Sequence, residues 1–184
     1  WTDGNTAVFG GPASSTITIN ASGITADSLR FSVDNQTVAG DPSSSNVLGF
    51  TSTSATMNVT VDSGLTATAG SFQGPAASTG AGNKIAVLGG GTLNLNGTNN
   101  LVTGDANNNQ SAGFTVDGGS TLNVTGTLYA MSPSASSRTY FTNLVGDSSA
   151  NNTVNISGSG VATTGAWTVG GGAFGGNSIN LTAP

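Results

Sequence analysis

Apolar and polar residues alternate along this chain in short bursts, and the bursts resemble one another. The segments "STITINASG" (15–23), "ATMNVTVDSG" (55–64), "GTLNLNGTN" (91–99), "STLNVTGT" (120–127), "NTVNISGSG" (152–160) and "NSINLTAP" (177–184) share one pattern. Each runs small polar, apolar, Asn or Thr, apolar. Their first apolar positions are Ile17, Met57, Leu93, Leu122, Val154 and Ile179, separated by 40, 36, 29, 32 and 25 residues. Alternation with period two places the apolar side chains on one face of a strand. A return every 25 to 40 residues is the mark of a repeat architecture.

Two further bursts follow each of the first five segments. The second bursts are residues 28–33, 64–70, 100–104, 126–131 and 160–165; the third are 46–50, 84–90, 113–119, 140–147 and 166–172. Residues 7–11 match the third type. Three strands per repeat predict an all-β fold: a single parallel β-helix over residues 1–184, of about five three-strand turns. Equivalent positions then form apolar ladders inside and Asn or Thr ladders outside, with glycine at the corners. At about 4.8 Å per turn, six strands of the first type give a column of roughly 30 Å. A β-sandwich also has many short strands, but the recurring three-burst order favours the solenoid. No apolar stripe of helical period persists, and glycine is frequent throughout. The longest links, 34–45, 71–83, 105–112 and 132–139, fall between second and third bursts. Insertions at one corner collect on one lateral face, a natural first candidate for binding.

Composition narrows the function. Charged residues are only 6% of the chain, the bases being Arg30, Lys84 and Arg138, against eight Asp and no Glu, His or Cys. A net charge of −5 with scattered bases argues against nucleic acid and against a polybasic membrane contact. Hydrophobic residues make up 35%, too many for a solvated linker. No apolar run is long enough to predict a membrane-spanning helix. Small polar residues with almost no Lys suit an extracellular or cell-surface chain, with any signal peptide removed or outside this segment.

The opening "WTDGNTAVFGG…TITINASGITADSLRFSVDNQTVAG" resembles a repeat of the autotransporter-associated β-strand repeat proteins, large bacterial surface or secreted chains. The resemblance lies in Trp1, Asp3-Gly4-Asn5, Ala7-Val8-Phe9, Ile24-Thr25-Ala26, Leu29-Arg30-Phe31 and Thr37-Val38-Ala39-Gly40. "GGGTLNLNGTNN" (89–100) is similar to the glycine-led strand of that family. The resemblance covers residues 1–40 well and the rest in style. It implies a right-handed β-helix, export and a role on or outside the cell, and brings no catalytic residues.

Candidate chemistry is sparse. A glycosidase needs two facing carboxylates. The candidates are Asp3, Asp27, Asp34, Asp41, Asp62, Asp105, Asp117 and Asp147, most at turns, with Asp62 and Asp117 in different strand types. Without His or Cys the usual nucleophilic and zinc arrangements are missing, so no enzyme, cofactor or metal is expected. "GDANNN" and "GDSSANN" suggest calcium only weakly. Thr16–Thr18, Thr51–Thr53 and Thr66–Thr68 raise ice binding, but in three different strand types they would not stack. The Asn-x-Ser/Thr triplets at Asn58 and Asn123 lie in expected strands and read as composition rather than glycan sites. Phe9, Phe31, Phe50, Phe114, Phe141 and Trp167 read as core, with Trp1 and Tyr140 as candidate exposed aromatics.

A solenoid of this kind has unpaired strands at both ends, and nothing in the sequence signals a cap. The expected function is therefore structural: a subunit of an extracellular filament or surface layer, stacking head to tail as a homopolymer. Trp1, Val8, Phe9, Ile179 and Leu181 are the candidate assembly residues. The alternative is a fragment of a surface passenger or adhesin that binds a host or matrix glycan or protein through its lateral loops.

Overall fold

The computed structural model describes residues 5–20, 23–40, 48–50, 56–73, 83–100, 112–130, 143–157, 160–163, 167–170 and 173–182. Their twenty strands form three parallel sheets, and each strand pairs with the one three positions later in the chain. The first sheet holds β1 (Thr6–Phe9), β4 (Ser28–Phe31), β7 (Thr56–Val61), β10 (Asn83–Leu88), β13 (Ala112–Val116), β16 (Asn143–Val145) and β19 (Trp167–Val169). The second holds β2 (Thr16–Thr18), β5 (Gln36–Ala39), β8 (Thr66–Ala69), β11 (Thr92–Leu95), β14 (Thr121–Val124), β17 (Thr153–Ile156) and β20 (Ser178–Leu181). The third holds β3 (Ile24–Ala26), β6 (Leu48–Phe50), β9 (Phe72–Gln73), β12 (Thr98–Asn100), β15 (Thr127–Ala130) and β18 (Gly160–Thr163). This is an all-β solenoid. Among the described residues no helix is long and apolar enough to cross a membrane.

The core is a set of vertical columns. In the first sheet Ala7, Leu29, Val59, Val87, Val116, Val145 and Val169 stack in register. In the second, Ile17, Val38, Ala69, Leu95, Val124, Ile156 and Leu181 do the same. Period-two alternation turns these positions inward on every rung, so like side chains meet like. Phe9 and Phe31 stack as rings, centroids 4.7 Å apart. Among the described residues three asparagines, Asn99, Asn143 and Asn152, are also fully buried. Asn99 Oδ1 accepts from the Phe72 N–H at 3.0 Å, and Asn143 Oδ1 from the Phe114 N–H at 3.0 Å.

Three strands per repeat hold, but the sequence reading of their order needs correction. The about five turns are replaced by sheets of seven, seven and six strands. Residues 55–64 do not belong with 15–23; β7 lies in the first sheet, paired with β10, and Met57 stacks on Ile85. Strand β6, within 46–50, lies in the third sheet and not with 84–90. The reason is three strands that the alternation does not reveal. β3 falls between two expected bursts, and β5 and β9 lie inside the expected links 34–45 and 71–83. Each has two to four residues, too few to show a period. With them counted, one turn takes roughly 21 residues at Thr16↔Thr37 and roughly 33 at Thr127↔Gly160. Of the expected links, 34–45 contains β5 of the second sheet and 71–83 contains β9, so they are not simple insertions; residues 74–82, 101–111 and 131–142 lie outside the described residues.

Candidate functional site

Two surfaces stand out: the outer face of the second sheet, and the last rung. On the outer face the residues between the core positions form a column, Thr16, Thr37, Thr68, Asn94, Asn123, Asn155 and Asn180. The four asparagines make an amide ladder. Asn123 Nδ2 donates to Asn94 Oδ1 at 2.8 Å, Asn155 to Asn123 at 2.7 Å, and Asn180 to Asn155 at 2.7 Å. Beside it run Asn96, Thr125 and Ser157, each leaving its strand by a backbone bond to the rung before. Together they line an open groove of about 440 Å³ that holds no ionisable side chain. The expected outer ladder of Asn and Thr is thus present. Its sequence signal is the motif Thr/Ser-apolar-Asn-apolar-Asn/Thr/Ser, at 92–96, 121–125, 153–157 and 178–182. Charges and long loops, the features that mark candidate sites in the sequence, do not point to it. Thr16–Thr18 and Thr66–Thr68 also lie in one sheet, against the expectation of different strand types; Thr16, Thr37 and Thr68 share the column. Thr51–Thr53 falls outside the described residues.

The last rung exposes core-facing side chains. Leu181 is 75% exposed and Val169 44%. Ile156, Trp167, Ile179 and Leu181 line an apolar hollow of about 310 Å³. The first rung differs: Ala7 and Ile19 are buried, and Phe9 is only 8% exposed. Of the candidate assembly residues, Ile179 and Leu181 meet at this hollow. Phe9 lies in the core at the other end, and Val8 points outward from β1, beside Arg30. Trp1 lies outside the described residues.

Asp34, Asp62 and Asp117 are held by structural partners. Asp62 and Asp117 both leave the first sheet, after β7 and β13, which corrects the expectation of different strand types. The β10 rung separates them, so they stand roughly 10 Å apart along the axis. Asp62 takes a bidentate pair from Arg30, at 3.0 and 2.9 Å. Asp34 Oδ1 accepts from the Thr66 N–H at 2.8 Å. Asp117 is nearly buried, which pushes its carboxyl up. The Ser148 and Ser149 hydroxyls and the Gly118 and Ser148 N–H groups more than offset this and hold it below the ordinary range. Asp117 is therefore kept ionised, the opposite of a general acid. Among the described residues no three Asp side chains gather to hold a metal ion. In "GDSSANN", Ser149 and Asn152 accept from backbone N–H groups of the neighbouring rung, and Ser148 donates to the Asp117 carboxylate. Asp3, Asp41, Asp105, Arg138, Tyr140 and Phe141 lie outside the described residues, as do the side chains of Phe50 and Lys84.

Asp117→Ala removes the acceptor of four part-buried hydrogen bonds from Gly118, Ser148 and Ser149, at an expected cost of about 1–2 kcal/mol. A carboxylate with a lowered folded pKa stabilises fully above the unfolded value of about 3.9 and loses that contribution as the pH falls through the folded one. Thermal melts from pH 7 to pH 2 should show a constant gap between wild type and variant that closes only in acid.

A scan against protein-family models and searches of curated proteins and of solved structures each return no match.

Proposed function

We propose that this chain is a structural element of a bacterial cell surface or extracellular filament, assembled head to tail by stacking of solenoid rungs. The observation that carries the reading is the last rung, where Leu181 and Val169 turn core-facing apolar surface to solvent. Among the described residues, strands β19 and β20 each pair with one neighbour and close their sheets at this end. A second copy placed with β1 on β19 and β2 on β20 continues the core columns of the first and second sheets in register, Ala7 following Val169 and Ile17 following Leu181; the third sheet, with six described strands, has one rung fewer at the junction. The same placement sets Thr16 on Asn180. Such a contact is heterologous and does not close on itself. The scarcity of charge leaves little to oppose it. The coil is right-handed in this reading, as parallel crossovers overwhelmingly are. Export and surface location follow from the composition and from the likeness of residues 1–40 to autotransporter-associated repeats. A role without catalysis fits Asp34, Asp62 and Asp117, which are each bound to structural partners.

A second reading has one specific observation in its favour. Ala7, Phe9 and Ile19 at the first rung are buried and Ile17 is half-buried, whereas Leu181 and Val169 at the last are exposed. In a longer surface passenger or adhesin, following turns of the same chain would cover Leu181, and no second copy would be needed.

Sedimentation velocity over a range of concentrations separates the two. The homopolymer reading expects species that grow with concentration for wild type and a monomer for Leu181→Lys, with equal melting temperatures at dilutions where both are monomeric and a higher one for wild type as it assembles. A monomer at every concentration for wild type removes it in favour of the passenger.

A further inference from the structure

We infer that the outer face of the second sheet is a binding site for an uncharged linear polysaccharide. This rests on the amide-ladder groove and not on the end rung, so it stands or falls apart from head-to-tail assembly. The polar groups of the lining are amides and hydroxyls with no ionisable group, set among the methyl and methylene groups of the same Thr, Ser and Asn side chains. A polyanion finds no counter-charge there and meets a chain of net charge −5. A cationic ligand finds no carboxylate. The chemistry left is neutral and rich in hydroxyls.

The ladder fixes the recognition elements in place. Each Asn123 and Asn155 amide donates to one neighbour and accepts from the other. An amide has two N–H groups and two acceptor sites, so each keeps one of both for a ligand. Sugar hydroxyls, at once donors and acceptors, match that alternation. Because neighbouring amides already hold one another, little side-chain freedom remains to be lost on binding. Rungs repeat at about 4.8 Å, so a periodic ligand meets the same pair of groups rung after rung, and weak contacts add through effective concentration. A single sugar would reach one or two rungs only.

Other occupants fit less well. An added peptide strand needs a free backbone edge, and on this face the strands are paired on both sides from β5 to β17. A crystal plane such as ice needs a flat surface. Here the column of Asn94, Asn123 and Asn155 is half-buried beside the exposed Asn96, Thr125 and Ser157, so the surface is concave.

The test is co-sedimentation of the full chain with microcrystalline cellulose and with chitin, gel retardation in hydroxyethyl cellulose, and alginate as the anionic control. Retention on at least one neutral glycan is expected, unchanged at about 1 M salt, where surface charge effects are screened. Alginate should not retain the chain. Thr125→Lys, at an exposed rim position, should lower retention about tenfold or more by filling the groove and ending multi-rung contact. Asn123→Asp, which removes the donor within the ladder, should act in the same direction. Both are compared with wild type by circular-dichroism melts, and Thr125→Lys keeps the test open if the ladder variant does not fold. Failure of wild type on all three neutral polymers overturns the proposal. So does retention that Thr125→Lys leaves unchanged, or adsorption to ice crystals in place of the glycans.

Discussion

Gly126→Ala is expected to cost about 3 kcal/mol or more, because the added methyl group meets backbone and not side chain. A Cβ at Gly126 would lie 2.2 Å from the Gly97 carbonyl oxygen, 2.5 Å from the Gly97 nitrogen and 2.7 Å from the Asn96 carbonyl carbon. Those atoms are fixed by the Gly126 N–H to Leu95 at 3.2 Å and the Thr127 N–H to Gly97 at 2.7 Å. To make room, the corner between β14 and β15 must lift off the corner below it, breaking pairing in two sheets at once. Gly64 is the control. Its φ is +76° and nothing lies within 4 Å of the place its methyl group would take, so Gly64→Ala brings only the left-handed backbone cost of about 1–2 kcal/mol. Urea unfolding of the two variants should rank them in that order. Equal losses would mean that corner spacing is not what holds the rungs together.

Phe114→Ala is the other large effect, at an expected 3–5 kcal/mol. Phe114 is fully buried in the column between Ile85 and Asn143, and its N–H is the donor to the Asn143 side chain. A solenoid rung touches only its neighbours, so nothing distant compensates for a cavity in mid-column. The loss should therefore also divide the unfolding transition, with the turns on either side of β13 melting separately. Leu181→Ala removes a side chain of similar chemistry from the exposed last rung and, at dilutions where the chain is monomeric, should change stability by less than about 0.5 kcal/mol. The contrast between two apolar truncations isolates burial from hydrophobicity. A single sharp transition for Phe114→Ala with little loss would contradict a core built of stacked columns.

Much of this architecture is legible in period-two alternation alone. Strands β11, β14, β17 and β20 share one motif and fall in one sheet, with Leu93, Leu122, Val154 and Ile179 stacked inward as expected. The outer Asn column follows from the same motif. The early turns are harder to read. β3, β5 and β9 are as short as two residues, and Phe72, one of the largest buried side chains, sits where glycine and serine suggest a link. Without them the strand count shifts, and the burst around Met57 falls to the wrong sheet because apolar-Asn-apolar occurs in two sheets. The partners of Asp117 are illegible for another reason. Ser148 and Ser149 lie 31 and 32 residues away, and only the length of a complete turn brings them beside it. The groove escapes a reading that looks for recognition in charged residues and insertions. Its neutral groups become a surface only when rungs stack.

The most direct test of head-to-tail stacking is to concentrate the purified chain, image it by negative-stain electron microscopy, and record diffraction from aligned material. The account predicts long unbranched fibres one solenoid wide, with a repeat of about 4.8 Å along the fibre axis, because each copy continues the rungs of the last. Single compact particles at every concentration would contradict it.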